Sequence, residues 1–198
     1  MNRQPDHETA LSVPCDPLGM GEPLPEFPYH PDPVATGSVK PSDETCVSCE
    51  RQRGYIYVGP VFSVEELDDC LCPWCIADGT AAARFDADFT DVEDLPAGVA
   101  ADVVETVTKT TPGFTGWQQE HWMFHCEDGA AFLGLVGRKE LEAYPDAVEV
   151  LRHEHDAHGW PEEQVEEYLA DLDKDDMPTA YLFECRHCGT HLAYSDFT

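Results

Sequence analysis

The chain has 198 residues, 42% of them apolar, and sets 11 Lys+Arg against 40 Asp+Glu for a formal net charge of −29 at pH 7, which describes one core-forming domain, or one with a small second. That charge repels phosphate backbones and excludes nucleic acid as a main ligand, while the lack of any run of about 18 apolar residues or of a signal-peptide-like start points to a soluble, cytoplasmic protein with no membrane partner. The acidity itself has two readings: a solvated surface tuned for solubility, or electrostatic steering toward a basic protein.

Residues 1–23 read as a disordered acidic, Pro-rich arm, since half of the sixteen prolines fall within the first 33 residues. Cys15 lies inside that arm and is expected as a free thiol. From Thr45 the pattern becomes structured. Cys46-Val47-Ser48-Cys49 precedes Tyr55-Ile56-Tyr57-Val58, a β-branched and aromatic run that predicts a strand, with Gly59-Pro60 as a turn and Val61-Phe62 as a return strand. Ser63 and Glu66 have capping-box spacing and predict a short helix from Val64 to about Asp69. Leu71-Cys72-Pro73-Trp74-Cys75 then leads to Thr80–Phe85, helical by propensity.

Val99, Val103, Val104 and Val107 recur at helical spacing and predict a helix over 99–109, ended by Thr111-Pro112-Gly113. The aromatic stretch from Phe114 to Cys126 follows, then a buried strand, Phe132–Gly137. Residues 140–177 are acidic and helical in flavour, with Pro161 opening a helix at its first position. Ala180–Glu184 predicts a strand that enters the knuckle Cys185-Arg186-His187-Cys188-Gly189 and returns through His191–Tyr194.

Six of the nine cysteines form three Cys-x-x-Cys pairs. An odd count without an export signal argues against disulfides. Two thiolates at this spacing clasp one tetrahedral metal from a tight turn, and a second pair completes its shell. Cys46 and Cys49 are separated from Cys72 and Cys75 by 22 residues, which predicts a structural Zn²⁺ in a treble-clef-like finger over 45–85. Cys70 breaks the two-residue spacing and is left as a spare. Cys185 and Cys188, with Cys126 as third ligand, read as a second Zn²⁺ site, with a redox or metal-free pair as the alternative. His153, His155 and His158 look like a metal cluster but lack periodic or cysteine context, and His121, Trp117, Trp122 and Glu120 read more as core than as a cofactor box.

The strings FPYHPDP (27–33), Cys46/Cys49, YVGP (57–60), LCPWCIADG (71–79), TPGF (111–114), GWQQE (116–120), His125-Cys126 and Cys185/Cys188-Gly189 resemble the CbrC-like family of bacterial proteins associated with tolerance to colicins. The resemblance covers about residues 24–198 and implies one zinc-binding domain there, whose second half comprises 111–137 and 180–198. The family's pattern carries a further cysteine four residues after the one matching Cys126; here that position is Ala130. A second site therefore lacks one thiolate, leaving His125, His121, His187, His191 or water to fill it.

The expected fold is α+β, a treble-clef-like finger merged with a small mixed domain and a C-terminal zinc-knuckle hairpin. Three function classes compete. The first is a non-enzymatic zinc protein that binds a basic, bacteriocin-like toxin, and the second a zinc-stabilised regulatory interaction module. The third, a treble-clef nuclease, is disfavoured because residues 50–71 contain no His to build its metal site.

Overall fold

The computed structural model describes residues 22–92 and 95–196. Of the arm expected over 1–23, only Glu22 and Pro23 are among the described residues, and Cys15 lies outside them. Those two residues already engage the body: Glu22 pairs with Arg51 and Arg53, and the Pro23 carbonyl accepts the Trp74 indole N–H at 3.0 Å.

The N-terminal half is built around a long antiparallel hairpin. Strand β1 (Val39–Pro41) pairs with β2 (Tyr55–Tyr57), Val39 opposite Tyr57, and a Thr45–Gln52 bridge narrows the loop that carries Cys46–Cys49. Tyr57 also bridges Leu71, which lays the start of α1 (Pro73–Ala77) beside β2. Helix α2 (Thr80–Phe85) follows after Gly79, whose φ of 74° makes the turn between them. Val39, Tyr57, Leu71, Ile76, Phe85 and Phe89 form one buried cluster, with Cys46, Cys72 and Cys75 inside it.

Two expectations fail here. β2 pairs with β1 rather than with Val61-Phe62, and Phe62 instead bridges Asp88. No helix forms over Val64–Asp69. The Ser63 hydroxyl donates to the Phe85 carbonyl at 2.9 Å, and Val64 is 99% exposed. Six residues with four carboxylates and one buried apolar anchor, Leu67, cannot offset the cost of helix nucleation.

Helix α3 (Ala101–Lys109) forms as the valine spacing predicts, with Val107 buried. A tight hairpin of β3 (Phe124–His125) and β4 (Asp128–Gly129) follows, which the sequence pattern did not announce. Next come β5 (Ala131–Val136), α4 (Arg138–Leu141), α5 (Pro145–Ala157), α6 (Glu162–Asp171), β6 (Thr179–Glu184) and β7 (His191–Asp196). The last two strands extend the predicted ones, and Pro161 stands at the cap of α6 rather than inside its first turn. β5, β6 and β7 form an antiparallel sheet with β6 in the centre.

Period-two alternation divides that sheet between two cores. Tyr181 and Phe183 of β6, with Leu192 and Tyr194 of β7, join Phe114, Trp122 and Phe132 in an aromatic cluster on one face. Ala180, Leu182 and Ala193 face Leu141, Leu151, Val165 and Leu169 of the three helices on the other. A register shift between Phe132 and Gly134 keeps Phe132 and Leu135 with the aromatic cluster and Leu133 and Val136 with the helical one. His30, fully buried, ties the FPYHPDP and TPGF segments together: its Nδ1 lies 2.7 Å from the Pro112 carbonyl and its Nε2 2.7 Å from the Thr36 hydroxyl. Mixed α+β architecture with antiparallel sheets is thus as expected. Among the described residues, no helix is long and apolar enough to cross a membrane.

Candidate metal centres

Two of the three Cys-x-x-Cys pairs, Cys46/Cys49 and Cys185/Cys188, sit in the connection of an antiparallel pair, and each meets a second segment brought in from elsewhere. In the first, a short i+4 amide contact from Glu50 to the Cys46 carbonyl, 2.7 Å, and a left-handed Glu50 (φ 57°) close the knuckle between β1 and β2. Cys72 caps α1 with extended backbone, Pro73 takes the first helical position, and Cys75 lies inside the first turn. Arg84 of α2 donates to the Ser48 carbonyl at 2.7 Å and pins the knuckle over the helices.

The sulfurs of Cys46, Cys49, Cys72 and Cys75 then lie within 4.8 Å of one another. Cys46–Cys75 and Cys49–Cys72 are each 3.8 Å apart. Four sulfurs held at about 2.3 Å from a tetrahedral ion stand about 3.8 Å from each other, so the group has the dimensions of a Cys₄ shell. Cys46, Cys72 and Cys75 are at most 2% exposed. Cys70 stays out of the group, half-buried against the same cluster, and burial pushes its thiol up.

The second group is assembled by the β3–β4 hairpin and the β6–β7 knuckle. Cys126 and Glu127 form the hairpin tip with φ of 52° and 60°, a left-handed pair normally reserved for Asn and Gly. The knuckle closes through Gly189, whose N–H donates to the Cys185 carbonyl at 2.9 Å with φ 70°. His125, Cys126, Cys185 and Cys188 thereby place one donor atom each within 4.8 Å. His125 Nδ1 is 3.3 Å from Cys126 Sγ and 3.4 Å from Cys188 Sγ, and the latter two are 3.9 Å apart. A tetrahedral ion with one nitrogen ligand needs about 3.6 Å between that nitrogen and each sulfur.

Of the four histidines left open for the fourth position, the structure selects His125. His121 stands edge-on to Tyr194, His187 bonds Asp128 at 2.8 Å, and His191 bonds Asp146 at 3.1 Å. Asp128 braces the whole corner, accepting from Tyr29, Arg186, His187 and the Gly129 amide. His153 and His158 do not enter a donor group among the described residues, and His155 is fully buried, stacked on Trp160 and edge-on to Tyr168. Trp122 and Glu120 are buried as expected, but Trp117 is 55% exposed and His121 is exposed too, so neither joins the core.

Electrostatics bear on what each group can accept. The Cys72 thiol beside Cys46, with backbone N–H groups, pulls Cys46 down to about 4, while its bond to Cys46 and burial push Cys72 up. In the second group the Thr190 hydroxyl and amide pull Cys188 down to about 6, and Cys188 beside it pushes Cys126 up to about 11. One thiolate forms readily in each group and then repels the next. A bound divalent cation would let all of them ionise together. The two groups differ in access: Cys126 and Cys188 are exposed, whereas in the first group Cys46, Cys72 and Cys75 are buried and Cys49 is partly buried.

The family model of the uncharacterised protein family UPF0167 matches residues 24–197. The chain is 52% identical over 186 residues to a UPF0167 protein of Mycobacterium bovis, covering 93% of this chain and all of that one. A second, from Pseudomonas aeruginosa, is 45% identical over 183 residues, covering 90% of this chain and all of the relative. No solved structure matches significantly.

Proposed function

Because the chain belongs to the uncharacterised protein family UPF0167, whose description assigns no activity, we propose a function from the site itself: a zinc-stabilised, non-enzymatic binding protein with two Zn²⁺ sites. One is held by Cys46, Cys49, Cys72 and Cys75, the other by Cys126, Cys185, Cys188 and His125. The observation that carries this reading is the spacing of the donors, 3.8 Å in the first group and 3.3–3.9 Å in the second. Thiolate-rich sets of this size suit Zn²⁺ over harder cations. Four protein donors per ion leave no open position for a water or substrate, which favours a structural role. Knuckle, then a helix opening at the second Cys pair, is treble-clef order, and we read residues 45–85 as such a finger within one zinc-binding domain over 24–198.

Metal analysis of the purified chain tests this directly. Two equivalents of zinc are expected, with Cys185→Ser losing one of them. Cys49→Ser should lose soluble protein, since structural zinc contributes on the order of 10 kcal/mol or more to folding in small sites. A folded, metal-free chain with unchanged melting would overturn the reading.

What such a protein binds is read from its charge. The −29 balance favours a basic protein partner whose approach is steered, and the CbrC-like resemblance makes a colicin-type toxin the first candidate to test. Steered association should slow as salt rises, because the Debye length falls from about 10 Å at 0.1 M to about 3 Å at 1 M. If instead only the melting temperature climbs with salt and no basic toxin binds, the acidity serves solubility.

A further inference from the structure

Away from both cysteine groups, a cavity of about 440 Å³ opens where α5, β7 and the 118–124 segment converge. That volume lies in the range of small-molecule sites, roughly 300–1,000 Å³. Met123, Phe124 and Tyr194 supply apolar wall; Glu154, Asp196 and His121 supply polar groups, and no Lys or Arg lines it. Asp196 is fixed at the wall because its Oδ2 accepts the Trp117 and Gln118 amides, each at 3.0 Å, and the Tyr181 hydroxyl at 2.6 Å. Glu154 is less well served: its Oε2 is sealed from water and has no hydrogen-bond partner among the described groups. Burial pushes this carboxyl up, opposed by His158 and His121.

Among the described residues this partly buried carboxylate faces only the imidazoles of His121 and His158, with no permanently charged Lys or Arg in the lining. A metal ion is not its counter-charge, because these donors do not converge as the two cysteine groups do among the described residues. We propose that this cavity binds an organic cation, an alkylammonium or alkylguanidinium group, with Glu154 as its counter-charge. Phe124 and Tyr194 in the lining are aromatic groups of the kind that attract such a cation, and the Met123 thioether suits its alkyl stem. The surrounding field of a −29 chain concentrates cations and repels carboxylates at the same opening. The cation comes either as a free amine or as a Lys or Arg side chain on a basic partner.

Titration of the full chain with n-butylguanidinium, followed by NMR, tests the site. Saturable shifts are expected at His121, Met123 and Tyr194, with none from butyrate. Glu154→Gln should weaken binding about ten-fold or more, as loss of a charge-assisted partner in a shielded site. Glu163→Gln, an exposed change on α6 with the same effect on net charge, should leave it within about two-fold. Equal binding of butyrate, shifts that spread over the acidic surface without saturating, or an unaffected Glu154→Gln would overturn the proposal. The butyrate comparison needs no variant and so survives any folding defect. A neutral peptide bearing one Arg separates the sources: tighter binding than butylguanidinium assigns the cation to a partner, and binding of the small cation alone assigns it to a free amine.

Discussion

Acidification should destabilise the fold through His30, and the geometry sets the size of the effect. The Pro112 carbonyl can only accept, so Nδ1 carries the proton and Nε2 accepts from the Thr36 hydroxyl; the neutral ring is fully satisfied. Burial holds the imidazole down to about 4, from an ordinary 6.5, despite the opposing Pro112 bond and Asp32 charge. Above pH 6.5 the ring is neutral folded or unfolded and contributes no slope. Below it the unfolded chain takes up a proton that the folded chain refuses, so stability is lost as pH falls, at up to about 1.4 kcal/mol per pH unit. From pH 6.5 to 5 that amounts to about 1.6 kcal/mol. Going further approaches the isoelectric point near 4.2, where precipitation interferes. Urea unfolding of the wild type and His30→Asn between pH 7.5 and 5 isolates the effect, because Asn can keep the Pro112 bond but does not titrate. Carboxylates and cysteines contribute to both curves and cancel in the difference. Parallel curves for the two proteins would refute the reasoning.

With zinc bound as proposed, a chelator should strip it in two phases, first from the group with exposed Cys126 and Cys188 and later from the mostly buried Cys₄ group, as read by metal release against far-UV circular dichroism. Phe114→Ala should cost about 3–5 kcal/mol by denaturant unfolding, since its ring is 1% exposed and stacks on Phe132 at 3.9 Å. Gly113→Ala should lower the melting temperature strongly, because a Cβ there would lie 2.0 Å from the Phe89 carbonyl oxygen. Val64→Ser should change stability by less than about 0.5 kcal/mol, since the side chain is almost wholly in solvent.

The sequence by itself determined whatever rests on local geometry. Cys-x-x-Cys is a turn-sized clasp, so Cys46/Cys49, Cys72/Cys75 and Cys185/Cys188 were legible as candidate donors from spacing alone, and the fold gathers them into two groups that could hold a metal. Helix α3 was legible from its valine period, and β6 from a run long and apolar enough to be central. Only the tertiary structure decided the rest. β1 is three residues ending in Pro, paired across a loop that spacing cannot foresee. The β3–β4 hairpin escaped notice because its strands are two residues long and its left-handed tip is Cys126-Glu127 rather than Asn-Gly. Missing that hairpin left the second group without its fourth donor. His125, His121, His187 and His191 are equivalent in a string of letters, and docking of one hairpin tip against one knuckle brings His125 to 3.3–3.4 Å from two sulfurs while turning the others to Tyr194, Asp128 and Asp146. Spacing along a chain fixes which residues can share a turn; which distant residue completes a shell depends on how the cores on the two faces of the β5–β7 sheet set its edges.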